Sequence, residues 1–244
     1  MNLIIDIGNT QTKVAIFDTR GIVHTVIGSS FTAAQFINLK LHYPLINRAI
    51  LSSVSDVDPD LTQTLNNECP FFVEFKSNTP IPLGNKYESK ETLGLDRLAA
   101  AVGAQAIFPG QELLVIDAGT AITYDLIDNC ANFLGGNISP GLTMRFKALH
   151  AFTNKLPEIA PSETWPAYGK NTQEAIQAGV LQGMIFEIDG VIDNHRKERS
   201  EIKVLLTGGD SLFFEKKLKN TIFVKFDLTL IGLNRILEFN TINN

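Results

Sequence analysis

Short apolar runs, each closed by a small or polar residue, punctuate the chain from its start. Leu3-Ile4-Ile5 leads into Asp6, a Gly8-Asn9 turn follows, and Val14-Ala15-Ile16-Phe17 resumes the run, so the segment predicts a β-hairpin. Gly21 to Ile27 alternates as a third strand and completes an antiparallel meander. Helical spacing then runs from Phe31 to Leu41 with Thr32 as N-cap, a buried strand spans Ala49 to Val54, and a second helix runs from Pro59 to Glu68. Phe71 to Phe75 reads as another strand. The order β-β-β-α-β-α-β predicts a mixed sheet with helices packed against it.

Ser77 to Thr92 reads as a loop, and loops of this length tend to be functional. Asp96 to Phe108 is rich in good helix formers and stops before Pro109-Gly110. The opening pattern then returns: Leu113-Leu114-Val115-Ile116 leads into Asp117-Ala118-Gly119-Thr120, followed by Ala121-Ile122-Thr123-Tyr124-Asp125. Phe133 to Pro140 gives the third strand of this half, Leu142 to Ala151 a helix, and Ala160 to Pro166 a loop. A long helix is predicted from Thr172 to about His195, with Ile176, Val180, Met184 and Ile188 at helical spacing. Lys203 to Leu206 is a strand feeding Thr207-Gly208-Gly209-Asp210, Thr221 to Phe226 another strand, and Leu230 to Leu237 a closing helix. The recurrence divides the chain into halves of similar build, 1–112 and 113–244, flanking a central cleft, where small molecules usually bind.

These turns carry the candidate chemistry. The hairpin Asp6-Ile7-Gly8-Asn9-Thr10-Gln11-Thr12-Lys13 offers backbone N–H groups without Cβ crowding at Gly8, two threonine hydroxyls and the Lys13 charge, which together suit a phosphate. Asp6 at its mouth suits a hydrated Mg²⁺, an ion that prefers few carboxylates together with waters and phosphate oxygens. Asp117 fits a turn acid, and the paired glycines of the late turn allow backbone to approach a flat ligand. Asp96 at its helix start reads as an N-cap. Gly169-Lys170-Asn171-Thr172 is not a Walker loop, because Thr164 stands where the upstream glycine belongs; Asn171 and Glu174 read instead as a capping box. Gly179 and Gly183 lie one turn apart on the long helix and permit close packing, inside the core or across a dimer seam.

Composition narrows the classes. The 244 residues allow two modest domains, and the net charge of -5 argues against a nucleic-acid partner. Cys69 and Cys130 are the only cysteines and form no CxxC, which fits a reducing cytoplasm. Asp6 interrupts the early apolar run, so no signal peptide is read, and no membrane partner is expected.

The Asp-x-Gly-x-Thr hairpin, its echo and the Thr-Gly-Gly turn resemble the acetate and sugar kinase, Hsp70 and actin superfamily. Gly94-Leu95-Asp96-Arg97, Asp117-Ala118-Gly119-Thr120-Ala121, Gly135-Gly136-Asn137-Ile138-Ser139-Pro140-Gly141 and Gly169-Lys170-Asn171-Thr172 look more narrowly like the type III pantothenate kinases. The resemblance implies an α/β protein with a duplicated actin-like ATPase (ribonuclease H-like) fold. It implies ATP-dependent phosphorylation of pantothenate to 4'-phosphopantothenate, the first step of coenzyme A biosynthesis. Asp96 would be the general base for the acceptor hydroxyl. ATP would be held by the 6–13 hairpin and Thr120, and pantothenate by Tyr87, Gly94, Leu95, Asp96, Arg97 and Thr172. Arg97's planar fork suits the pantothenate carboxylate or a developing phosphate charge. Mg²⁺ near Asp6, a monovalent cation (K⁺ or NH₄⁺) at Asp117 and a homodimer complete the implied set. The alternatives are a kinase for another small hydroxy acid or sugar, and a nucleotide-binding regulator on the same scaffold.

Overall fold

Parity sorts the first strand. A computed structural model describes residues 1–55 and 57–243. In β1 (Asn2–Ile7), Leu3 and Ile5 join one core, with Phe36 of α1 (Ala33–His42) and Leu61 and Leu65 of α2 (Pro59–Glu68). The opposite face carries Ile4, Ala15 and Ile50, all fully buried, and α7 (Leu228–Asn243) packs on β1, β2 and β4. Successive side chains point to opposite faces, so a strand covered on both sides must be apolar throughout.

The sheet order is β3 (Gly21–Gly28), β2 (Thr12–Asp18), β1, β4 (Arg48–Ser53), β5 (Phe71–Glu74). The β3-β2-β1 meander is antiparallel, and β1, β4 and β5 are parallel. The second sheet repeats this plan: β9 (Asn132–Pro140), β8 (Ala121–Ile127), β7 (Leu113–Ala118), β10 (Lys203–Thr207) and β11 (Phe223–Val224) lie in the corresponding order. Strand β7 is antiparallel to β8 and parallel to β10, as β1 is to β2 and β4. The expected duplicated actin-like α/β architecture is therefore present as two mixed sheets.

Capping follows the sequence. Thr32 and Gln35 form a reciprocal capping box at the start of α1, with Gln35 N donating to Thr32 Oγ1 and Thr32 N to Gln35 Oε1. At α5 (Thr172–Glu198), Glu174 N donates to Asn171 Oδ1 at 2.9 Å, but the Glu174 carboxylate accepts from Lys170 N rather than from the cap itself. By length and composition α5 could span a membrane. Its Ile176, Val180, Leu181, Met184, Ile188 and Ile192 are instead buried with Phe146 of α4 (Leu142–Ala151) and Phe214 of α6 (Ser211–Glu215), so a protein core accounts for its apolar side. The short α6 has no counterpart among the elements that the sequence predicts.

The chain forms two compact units, Gly110–Cys130 with Leu134–Phe226 being the second. The first takes Met1–Pro109, Ala131–Phe133 and the segment from Asp227 onward, so it does not follow a simple division at residue 112. The physical reason is α7, which returns to pack along α3 (Leu95–Ile107). A Cβ on Gly232 would lie 1.7 Å from Ala99 O, and one on Gly103 would lie 2.2 Å from Leu228 O, so the two helices touch backbone to backbone. Gly232→Ala is therefore expected to destabilise the protein by roughly 3 kcal/mol through overpacking. Urea unfolding measures this, and an unchanged midpoint would mean that the helices separate freely.

Candidate functional site

The first hairpin ends β1 at Asp6, which sits in register with Lys13 of β2 and Ser52 of β4. Gly8 N donates to Gln11 O at 3.0 Å and closes the turn, and a Cβ on Gly8 would lie 3.1 Å from that same oxygen. Asn9, Thr10 and Gln11 are exposed at the tip, whereas Thr12 is buried, so the Thr12 side chain is turned away from the surface that the tip presents. Lys13 is half-buried beside the turn. Burial raises the Asp6 carboxyl to about 6; Lys13 opposes this and nearby Asp96 adds to it. Asp6, Lys13 and Asp96 thus form one electrostatic group.

Asp96 is exposed in the first turn of α3, not at its N-cap, which is Gly94. Its Oδ1 accepts from Arg97 N at 2.9 Å, and a Cβ on Gly94 would come within 2.5 Å of that oxygen. Glycine at 94 therefore leaves room for the carboxylate to fold back over the helix start, where the dipole favours its charge. Leu95 is half-buried behind it.

Arg97 is buried, 6% exposed, and its guanidinium carbon lies 5.7 Å from the ring centres of both Tyr87 and Phe133. Those rings are 6.1 Å apart and inclined at 63°. Strand pairing sets this geometry. Gly84 and Asn85 of β6 (Gly84–Asn85) pair in parallel with Asn132 and Phe133, Lys86 N donates to Phe133 O at 2.9 Å, and Asn85 Oδ1 accepts from Tyr87 N at 3.0 Å. The segment expected as a plain loop is thus pinned. In the sequence Phe133 predicts only the start of a strand, and nothing in its apolar context distinguishes it.

In the second unit, Asp117 lies in register with Thr123 and Thr207, where its counterpart Asp6 faces Lys13 and Ser52. Gly119 N donates to Ala121 O at 3.1 Å, giving a shorter turn, with Thr120 exposed at its tip. Two other turns press against it. Gly208 has φ +94°, and a Cβ there would lie 2.5 Å from Asp117 Oδ1 and 2.4 Å from Ala118 O. A Cβ on Gly141 would lie 2.3 Å from Gly119 O. Asp210 N donates to Ala118 O at 2.9 Å, so the Thr-Gly-Gly-Asp turn is built onto this hairpin.

Thr172 is exposed at the start of α5, in a groove of about 880 Å³ between α4 and α5 whose walls include Arg145, Leu149, Phe152 and Ile176. Asp117 and Thr120 do not line this groove. Gly179 also borders it, and a Cβ on Gly179 or Gly183 would meet nothing within 4 Å. Neither glycine serves close packing inside this chain.

The sequence model of the type III pantothenate kinases matches residues 2–194. The chain is 47% identical to a type III pantothenate kinase of Phocaeicola vulgatus, over 98% of this chain and 99% of that protein. It is 46% identical to one of Bacteroides fragilis, over 98% of each. Among solved structures, a Campylobacter jejuni protein described as a conserved Baf family transcriptional activator superposes with a TM-score of 0.61 at 24% identity, covering 98% of both chains. The activator of 2-hydroxyisocaproyl-CoA dehydratase from Clostridium difficile, solved with bound ADPNP, gives 0.52 at 14% identity over 99% of this chain and 96% of its own. These two likenesses bear on the fold alone. With the Asp-Gly-Thr hairpin, its echo and the Gly94-Leu95-Asp96-Arg97 helix start in place, the near-full-length identities show that the chain belongs to the type III pantothenate kinase family.

Proposed function

We propose that Asp96 is the general base in the family's reaction, the ATP-dependent phosphorylation of pantothenate that opens coenzyme A biosynthesis. The observation that carries this is an exposed carboxylate at a helix start, within electrostatic reach of the Asp6–Lys13 hairpin. An alcohol attacks phosphorus well only as its proton leaves, and a carboxylate positioned on the hydroxyl accepts that proton and aims the oxygen. Lys13 and the exposed backbone of the hairpin tip, Asn9 to Gln11, balance the phosphate charge. Thr120 is proposed as a further phosphate contact.

The residues present fit ATP with Mg²⁺. Gly8 leaves space at the turn, and Asp6 is a carboxylate whose ionisation is suppressed by burial, which a cation beside it would restore. When bound, Mg²⁺ supplies charge neutralisation between phosphate oxygens. Asp117 is proposed as the contact for K⁺ or NH₄⁺; its cross-strand neighbour is Thr123 rather than a lysine.

Tyr87, Gly94, Leu95, Arg97 and Thr172 are proposed as the pantothenate contacts. A homodimer is proposed to form over α5, where Gly179 and Gly183 offer open backbone and Phe186 is 69% exposed. Such a seam would enclose the groove that carries Thr172. The protein is proposed to work in the cytoplasm.

The test is ADP release by the purified protein with ATP and Mg²⁺, with and without pantothenate, in K⁺ and in Na⁺. Pantothenate-dependent release, at least about fivefold faster in K⁺ and yielding phosphopantothenate by mass, is the expected result. Release with another hydroxy acid or a sugar, but not pantothenate, would replace the acceptor. Equal rates in the two salts would remove the cation from Asp117.

A further inference from the structure

The Arg97 guanidinium is the only charged group of the proposed acceptor site that the structure buries against aromatic rings. Its carbon and the two ring centres form a nearly equilateral triangle, with sides of 5.7, 5.7 and 6.1 Å. Rings inclined at 63° make a notch rather than a parallel sandwich. A guanidinium seated in that notch is attracted electrostatically by both π systems. Its hydrogen-bond donors all lie in the guanidinium plane, so fixing the plane fixes the direction in which the fork can present paired N–H groups to a carboxylate.

Phe133 is the rigid half of the notch. It is fully buried, and its backbone is fixed from both sides of the β6–β9 pairing: Phe133 O accepts from Lys86 N, and Ala131 O accepts from Gly84 N at 2.8 Å. Tyr87, on the other side, is half-buried and is tied to the same pairing through Asn85. One two-residue strand pair therefore sets both rings, and both rings set the arginine.

We propose that Phe133 is a positioning residue for acceptor binding: its ring, with that of Tyr87, holds the Arg97 guanidinium in a fixed plane for the carboxylate of the acceptor. This deepens the reading of Arg97 as a pantothenate contact and rests on it. A long cation on a flexible stem loses rotamer freedom when a ligand fixes it, and a notch that has already fixed the plane removes that cost from the binding step. The predicted consequence falls on acceptor binding and not on ATP or on the transfer itself.

The experiment is a double-mutant cycle with steady-state kinetics. Phe133→Leu keeps an apolar side chain and removes the ring; it is expected to raise the KM for pantothenate about tenfold, with kcat and the KM for ATP within about twofold of the parent. Arg97→Lys keeps the charge and removes the plane, and it is expected to raise the same KM. In the Arg97→Lys background, Phe133→Leu should add less than about twofold, because the plane it serves is gone. A full tenfold effect of Phe133→Leu in both backgrounds overturns the proposal, since a ring that merely fills the core acts independently of Arg97. So does a fall in kcat with the pantothenate KM unchanged. If Phe133→Leu does not fold, Phe133→Met, which keeps more of the side-chain volume while still removing the ring, takes its place in the same cycle, and additivity there overturns the proposal equally. A parent protein that does not phosphorylate pantothenate would sink the acceptor assignment itself, which is distinguishable from either result.

Discussion

Asp96→Asn is expected to lower kcat by about a thousandfold while leaving the fold in place. Asparagine matches aspartate in shape, so its side-chain oxygen can still accept from Arg97 N, as Asp96 Oδ1 does at 2.9 Å. What it cannot do is take a proton. The residue is exposed in the first turn of α3, so the loss to stability is confined to the attraction between carboxylate and helix N-terminus, about 0.5 kcal/mol. Removing the charge also removes one of the influences raising the Asp6 pKa. Pantothenate and ATP affinities should change little, which separates this variant from one that damages binding. Steady-state kinetics together with thermal melting decide the matter: a kcat within tenfold of the parent, on a protein with unchanged melting, would remove Asp96 from the base role.

Asp6→Asn should do two things that rarely go together: reduce activity by about a hundredfold or more, and stabilise the ligand-free protein above pH 6. The sign follows from linkage. The Asp6 carboxyl has its folded pKa raised from 3.8 to about 6, so the native state binds more protons than the unfolded chain between those values. Ionisation then opposes folding, and stability is lost as pH rises through that window. Asparagine cannot ionise and does not suffer this loss. The variant should therefore exceed the parent by roughly 1–3 kcal/mol at pH 8, after allowance for solvent screening, and the difference should shrink below pH 4. Denaturant unfolding at the two pH values tests this without any assay of turnover. Equal stability of the two proteins at pH 8 would show that the Asp6 charge is not under strain. Adding Mg²⁺ with ADP should stabilise the parent more than the variant, because only the parent offers a carboxylate to the ion.

Much of this architecture was legible because its signals are local. The two Asp-x-Gly hairpins announce themselves by apolar runs, a strand-end acid and a turn glycine, and these fix both meanders and the pairing of Asp6 with Lys13. The Thr32 cap and the long α5 are equally local. What escaped depends on partners distant in sequence. Thr12, the first residue of β2, is buried because β1 and β3 flank it there, at Ile7 and Gly28. Asp96 looked like a cap because glycine, the actual N-cap, carries no side chain to advertise the role. A two-residue strand such as β6 has no periodicity to detect, and with it went the reason for Phe133 beside Arg97. Gly103 and Gly232, separated by more than half the chain, gain their meaning only where α3 meets α7.

The return of α7 to α3 also imposes a schedule on the nascent chain. Ribosomes deliver residues in order, and the first unit's strands and helices as far as α3 emerge before any of the second. Yet Ala99 and Gly103 lack their covering helix until the segment after Phe226 has been made. During that interval an apolar surface of α3 and the α7-facing side of the first sheet stand open to water and to other chains. The second unit, drawn almost wholly from one continuous stretch, has no such wait. Synthesis therefore finishes the later-made unit first, and the vulnerable species is a long, nearly complete chain rather than a short one.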